Sequence, residues 1–182
     1  MRMLLALLAA AVLAAPGAAA ARDGGLSLTV DRSERKVYVY RGDRAIRVHD
    51  VAVGKAGHAT PLGTWEFHQV DINPDWTPPD SDWARGSSWT PPGHPDNPMG
   101  RARLIFNRPY TIHGTDVRDS LGKAASHGSI RIANADAIAL AELLLKEGGA
   151  WRGRDWFERM LDRPTEMFEI PLERKIPIRV VE

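Results

Sequence analysis

Apolar and polar positions alternate along most of the chain after residue 25. LSLTV (Leu26–Val30) and KVYVY (Lys36–Tyr40) flank a polar turn at Asp31–Arg35, the period-two pattern of a hairpin with one buried face. AIRVHDVAV (Ala45–Val53) predicts a third strand ended by Gly54, and GTWEFHQV (Gly63–Val70) a fourth. RLIF (Arg103–Phe106) and YTIH (Tyr110–His113) read as short strands around NRP, and EMFEI and IPIRVV close the chain as two more. One segment is helical. Ala135–Lys146 is rich in Ala and Leu, Asn134 is placed as its N-cap, Asp136 complements the positive end of the helix, and Gly148 and Gly149 stop it. RDWFERML (Arg154–Leu161) predicts a second, short helix. The pattern describes a mainly β domain with one principal helix and no linker that would divide it.

The first residues follow a different pattern. A basic start at Arg2 precedes an apolar run, Leu4–Ala15, then Pro16, Gly17 and small residues. This is the layout of a secretory signal peptide cleaved after about Ala20 or Ala21, and the run is too short to span a bilayer comfortably. Residues 1–21 are therefore expected to be removed on export. The chain of 182 residues is 43% hydrophobic and 26% charged, the composition of one globular domain. Its formal net charge is +1, with both signs spread along the chain. That excludes a nucleic-acid stripe or a polybasic membrane patch. Cysteine is absent, which excludes disulfides, a lipid-attachment cysteine and a thiol nucleophile. A soluble protein of the periplasm or cell wall is expected. Nothing in the sequence reports its oligomeric state.

Asp71–Gly100 is a long stretch rich in Pro, Trp, Asp and Gly, with WTPP at Trp76–Pro79 and again at Trp89–Pro92. Its tryptophans argue against disorder. Two readings fit, a packed loop that helps form a substrate groove and a cover over hydrophobic core. Trp76, Trp83 and Trp89 accordingly stack on sugar or peptide, or simply pack.

Candidate chemistry is concentrated between Thr111 and Arg131. His113 ends an apolar strand and is followed by Gly114, which places its side chain at a cleft. Ser129 follows His127–Gly128, and Gly128 permits a tight turn whose backbone N–H groups point one way. A base, a hydroxyl nucleophile and oxyanion donors thus lie in one segment. His49, His58, His68 and His94 have no metal-ligand spacing, so neither metal nor cofactor is expected. The G-x-S-x-G elbow of serine esterases is missing.

IHGT (Ile112–Thr115) and ASHGSIRI (Ala125–Ile132) resemble the signature of the L,D-transpeptidase catalytic domain, the YkuD-like family: an upstream HG followed by SHGC[IV]R. The opening hairpin, ATPLGTWEF (Ala59–Phe67), NPDWTPP (Asn73–Pro79), PPGHPDNPMG (Pro91–Gly100) and RIANADAIAL are similar to the family too, the loops to its periplasmic subgroup. The likeness covers residues 26–181. It implies a β-sandwich of mixed sheets with the principal helix directly after the active-site turn. It also implies acyl transfer on peptidoglycan stem peptides. The nucleophile attacks the carbonyl of the third stem residue, usually diaminopimelate, terminal D-Ala leaves, and an amine resolves the acyl-enzyme. That amine comes from another stem or, in some members, an outer-membrane lipoprotein; water or a free D-amino acid substitutes. By position, His113 is the acid/base and the Gly114 peptide unit orients its ring. Backbone N–H groups around His127, Gly128 and Ser129 hold the oxyanion. Ser126 bonds locally, and Arg131 braces the turn or meets a substrate carboxylate.

Ser129 stands where the family has cysteine. A thiol with a pKa of about 8.5 supplies some thiolate at neutral pH unaided, whereas a serine must pass its proton to a well-placed base as it attacks. Three readings of Ser129 fit: a natural serine nucleophile with re-tuned geometry, a natural inactive relative that binds wall peptides, and an engineered replacement.

Overall fold

A computed structural model describes residues 24–182; the signal-peptide reading of residues 1–21 lies outside them. The fold is mainly β with mixed sheets. Its strands are β1 (Leu26–Asp31), β2 (Lys36–Arg41), β3 (Arg44–Asp50), β4 (Val53–Gly54), β5 (Gly63–Ile72), β6 (Ala102–Asn107), β7 (Tyr110–Thr115), β8 (Ala124–Ser126), β9 (Ile130–Ala133) and β10 (Phe168–Val181). The helices are α1 (Asn134–Glu147) and α2 (Arg154–Leu161). Eight strands form one sheet in the order β3-β2-β1-β10-β5-β6-β7-β9, and β4 pairs with β8. Within the large sheet β1–β10 and β7–β9 are parallel and the other pairs antiparallel.

Three elements depart from the sequence pattern. The predicted strand Ala45–Val53 is not one strand. β3 stops at Asp50, and Val51, Ala52 and Val53 turn inward to full burial. There Ala52 and Arg131 exchange backbone N–H···O bonds, each 2.9 Å. The chain leaving one edge of the sheet is thereby stitched to β9 at the other edge, so the sheet closes round a shared interior. The two expected terminal strands are instead a single strand, β10, whose register against β5 shifts between Pro171 and Ile176. Asn134, finally, is not the N-cap. Ala133 holds that place without a side-chain cap. The Asn134 amide is engaged elsewhere: its oxygen accepts the Arg101 N–H at 2.9 Å, and its nitrogen donates to Asp116 at 2.6 Å. A Cβ on Gly100 or on Gly114 would meet that oxygen at 2.1 Å, so both glycines are needed for Asn134 to tie the end of the long loop to β7.

The interior draws on both halves of the sheet, with Leu28, Val39, Phe67, Ile72, Leu104, Ile112, Ile130 and Ile132 among its buried residues. α1 covers it with Ala137, Leu140, Ala141, Leu144 and Leu145, the i, i+3, i+4, i+7, i+8 stripe of an amphipathic helix. β7 and β9 run in register with Ile112 opposite Ile130 and His113 opposite Arg131. Because side chains alternate across a strand, sending Ile112, Ile130 and Ile132 to the core sends Thr111, His113, Ser129 and Arg131 to the opposite face together.

Candidate functional site

The turn joining β8 to β9 is built around Ser126. Its buried hydroxyl donates to the Ser129 carbonyl at 2.5 Å and accepts the Gly128 N–H at 3.1 Å. Gly128 sits at φ +112°, and a Cβ there would come within 2.6 Å of the Tyr110 ring. Only glycine suits both the backbone angle and the space. The Gly128 carbonyl is drawn inward by the Thr60 hydroxyl, which donates to it at 2.8 Å and itself accepts the Gly54 N–H at 2.9 Å. In a trans peptide the carbonyl and the next N–H point in opposite directions. The Ser129 N–H therefore faces away from Thr60, while the Gly128 N–H is already used by Ser126. The Ser129 hydroxyl accepts the Thr111 N–H at 3.2 Å and lies 3.5 Å from the Pro109 carbonyl.

His113 lies on the same face and is 5% exposed. Its Nδ1 faces the Gly114 carbonyl at 2.9 Å, which places the proton on Nδ1 and leaves Nε2 as the basic nitrogen. Burial holds its pKa down to about 4; the Gly114 and Pro98 carbonyls work against this, and the positive Arg131 and Arg103 reinforce it. The ring is therefore neutral at pH 7. No hydrogen bond joins it to Ser129. On the neighbouring strand, Arg103 lies opposite His113 in the β6–β7 register and pairs with Asp71 at 2.7 Å, whose side chain is fully buried. Burial raises the Asp71 pKa, and Arg103 opposes the rise.

Arg131 is half-buried, and burial lowers its pKa. Among the described residues its guanidinium makes no ion pair and no hydrogen bond; it is the Arg131 backbone, through Ala52, that braces the turn. His127 is flanked by rings. Trp83 stacks on it with centroids 4.0 Å apart and planes 8° from parallel, and His58 meets it edge-on at 4.8 Å. Burial lowers the His127 pKa, as do Lys55, His58 and Arg131.

Ser126, His127, Gly128, Ser129, Arg131 and His113 thus form one cluster, with the Gly114 carbonyl against the His113 ring. Thr60, Tyr110, Thr111, Arg103 and Asp71 belong to it as well, although the sequence pattern did not single them out. Thr60 was legible only as the threonine of ATPLG. The Arg103–Asp71 pair had no local signal, because its partners come from different strands. Among the described residues no three His, Cys, Asp or Glu side chains converge as a metal site.

Residues 26–155 match the L,D-transpeptidase catalytic domain, YkuD, and the chain belongs to that family. It is 31% identical over 118 residues to "Probable L,D-transpeptidase ErfK/SrfK" of Salmonella typhimurium, covering 60% of this chain and 38% of that protein. Among solved structures, an L,D-transpeptidase from Mycobacterium smegmatis aligns with TM-score 0.55 at 14% identity, over 87% of this chain and 59% of that one. One from Mycobacterium tuberculosis aligns with TM-score 0.53 at 12% identity, over 87% and 58%. These structures share the fold. The chain spans less than two thirds of the length of each of these three relatives.

Proposed function

We propose that the chain is an exported acyl-transfer enzyme acting on peptidoglycan tetrapeptide stems, with Ser129 as nucleophile and His113 as general base. The observation that carries this reading is the shared face of β7 and β9. It sets a neutral, buried imidazole, a hydroxyl in a glycine turn and an unpaired guanidinium side by side. The Ser129 hydroxyl adds to the carbonyl carbon of the third stem residue and passes its proton to His113 Nε2. Negative charge on the carbonyl oxygen is met by the outward N–H of Ser129. His113 then protonates the amine of D-Ala as the C–N bond breaks, leaving an ester on Ser129. An amine from a second stem, or water, resolves that ester. Arg131 is free to hold a carboxylate of the stem. Removal of residues 1–21 and release outside the cytoplasmic membrane accompany this role.

A second reading has its own observation. The Ser129 hydroxyl accepts the Thr111 N–H and has no hydrogen bond to His113, and a serine with no base to take its proton binds a stem without attacking it. Mass spectrometry of a tetrapeptide muropeptide separates the two, using this chain, Ser129→Cys, and Ser129→Cys with His113→Ala. D-Ala release or cross-linking by this chain well above the double variant supports Ser129 as nucleophile. Activity confined to Ser129→Cys leaves a peptide-binding site that lacks its nucleophile. Silence from all three, with no binding of the muropeptide, overturns both readings.

A further inference from the structure

The long loop is closed at its neck and moored at its tip. Trp76 and Thr90 exchange backbone N–H···O bonds of 2.9 Å, and the Asn97 amide bonds the carbonyls of Pro74 and Pro91. Beyond that neck the hydrogen bonds and ion pairs of residues 77–88 stay within the loop: Thr77 to Asp75, Ala84 to Ser81, Arg85 to Asp82, Ser87 to Ala84, and Thr90 to Ser88. Among the described residues no hydrogen bond or ion pair joins this segment to the rest of the protein. One ring contact does. The tip is a single 3₁₀ turn, Asp82–Ala84, and from it Trp83 lies flat on His127. Ala84 beside it is buried, while Trp83 stays 38% exposed. The indole thus covers His127 with one face and meets solvent with the other, two residues from Ser129. His58 fixes the imidazole from its edge.

We propose that Trp83 is a specificity-determining residue: by stacking on His127 it latches the loop tip beside the Ser129 turn, and so governs whether an amine or water resolves the acyl-enzyme. This inference rests on the acyl-transfer reading above. In the ester the substrate carbonyl carbon is bonded to the Ser129 oxygen. An amine adds to that carbon and gives a proton to His113 Nε2. The C–O bond then breaks as His113 returns the proton to the Ser129 oxygen, and an amide is left. Water follows the same path and leaves a carboxylic acid. The two routes differ only in the attacking atom, so their ratio depends on how freely water reaches the carbon before the amine is seated. A ring held beside the turn restricts that access. A single aromatic stack is also weak enough to open during each turnover.

The test compares Trp83→Ala and Trp83→Phe with their parents, in this chain and in Ser129→Cys. Mass spectrometry reads the ratio of cross-linked dimer to hydrolysed tripeptide. Limited proteolysis without substrate reads the cutting rate within residues 77–89. Trp83→Ala is expected to lower the product ratio and raise the cutting rate, each by about two- to tenfold, the shift that loss of one aromatic pair produces. Trp83→Phe, which keeps a ring to stack, is expected to restore most of both. An unchanged product ratio in Trp83→Ala overturns the specificity role, and an unchanged cutting rate overturns the latch. If neither parent forms product, the acyl-transfer reading fails, and the latch stands or falls on proteolysis alone.

Discussion

The Ser126 hydroxyl spans the turn that presents Ser129, donating to the Ser129 carbonyl and accepting the Gly128 N–H. Ser126→Ala takes the partner from a buried N–H, that of Gly128, and from the part-buried Ser129 carbonyl. We expect a loss of about 1–3 kcal/mol in stability, measured by urea denaturation. In whichever parent is active, kcat should fall more than KM rises.

Gly128 and Tyr110 form a second constraint. Gly128→Ala places a methyl group against the Tyr110 ring and keeps a backbone angle that L-residues disfavour. The expected loss is about 2–4 kcal/mol, overpacking added to backbone strain. Tyr110→Ala in the same chain relieves the clash but not the strain. The double variant should therefore be more stable than the sum of the two single losses, and a thermal denaturation cycle reads this coupling directly.

His113 gives the protein a pH dependence on its acid side. Its pKa falls from 6.5 to about 4 on folding, chiefly through burial. Between those values the unfolded chain binds a proton that the native state does not, so stability falls as pH drops from 6.5 towards 4. The full span is worth about 3 kcal/mol. Denaturant midpoints across this range should slope accordingly, and His113→Gln should flatten the slope. With His113 as the proposed general base, the neutral ring is the working form, so kcat/KM in an active parent should keep its acid limb near pH 4 rather than near 6.5.

Arg103, the cross-strand neighbour of that histidine, pairs with the fully buried Asp71. Arg103→Ala strands a buried carboxylate and should cost on the order of 3–5 kcal/mol. Changing both to apolar residues, as Arg103→Met with Asp71→Leu, should recover much of the loss. Equilibrium unfolding of the three variants checks both statements. Arg103 also holds the His113 pKa down, so a folded variant lacking it should titrate His113 higher by NMR.

Much of this architecture is written in local pattern. Alternation located β1, β2, β5 and β7 because their apolar side chains face the interior, although β1 and β7 are buried on both faces, and the Ala- and Leu-rich stripe located α1. Ser126, Gly128, Ser129 and Arg131 stood out because the turn that carries them is continuous in sequence, and His113 because it ends an apolar strand beside Gly114. What was not legible depends on distant partners. Val51–Val53 continues directly from β3, yet leaves the strand because Arg131, far along the chain, offers it a backbone partner. Asn134 has the chemistry of an N-cap but is claimed by Arg101 and Asp116. Trp83 is one of several tryptophans in its loop, and only the folded chain shows which of them reaches His127.

The position of β10 has a consequence for how the chain comes to be folded. This strand is the last element in sequence yet lies between β1 and β5 near the middle of the sheet. Leu28 on the first strand finds its partner at Ile178, so the sheet is completed by pairing residues from opposite ends of the chain. Until Phe168–Val181 is in place, β1 and β5 each present an unpaired edge, and Leu28, Phe67 and Ile72 lack part of the interior they share. Assembly is accordingly non-local and slow for a domain of this size. A chain in which Phe168–Val181 has not yet docked keeps its sheet open at both β1 and β5.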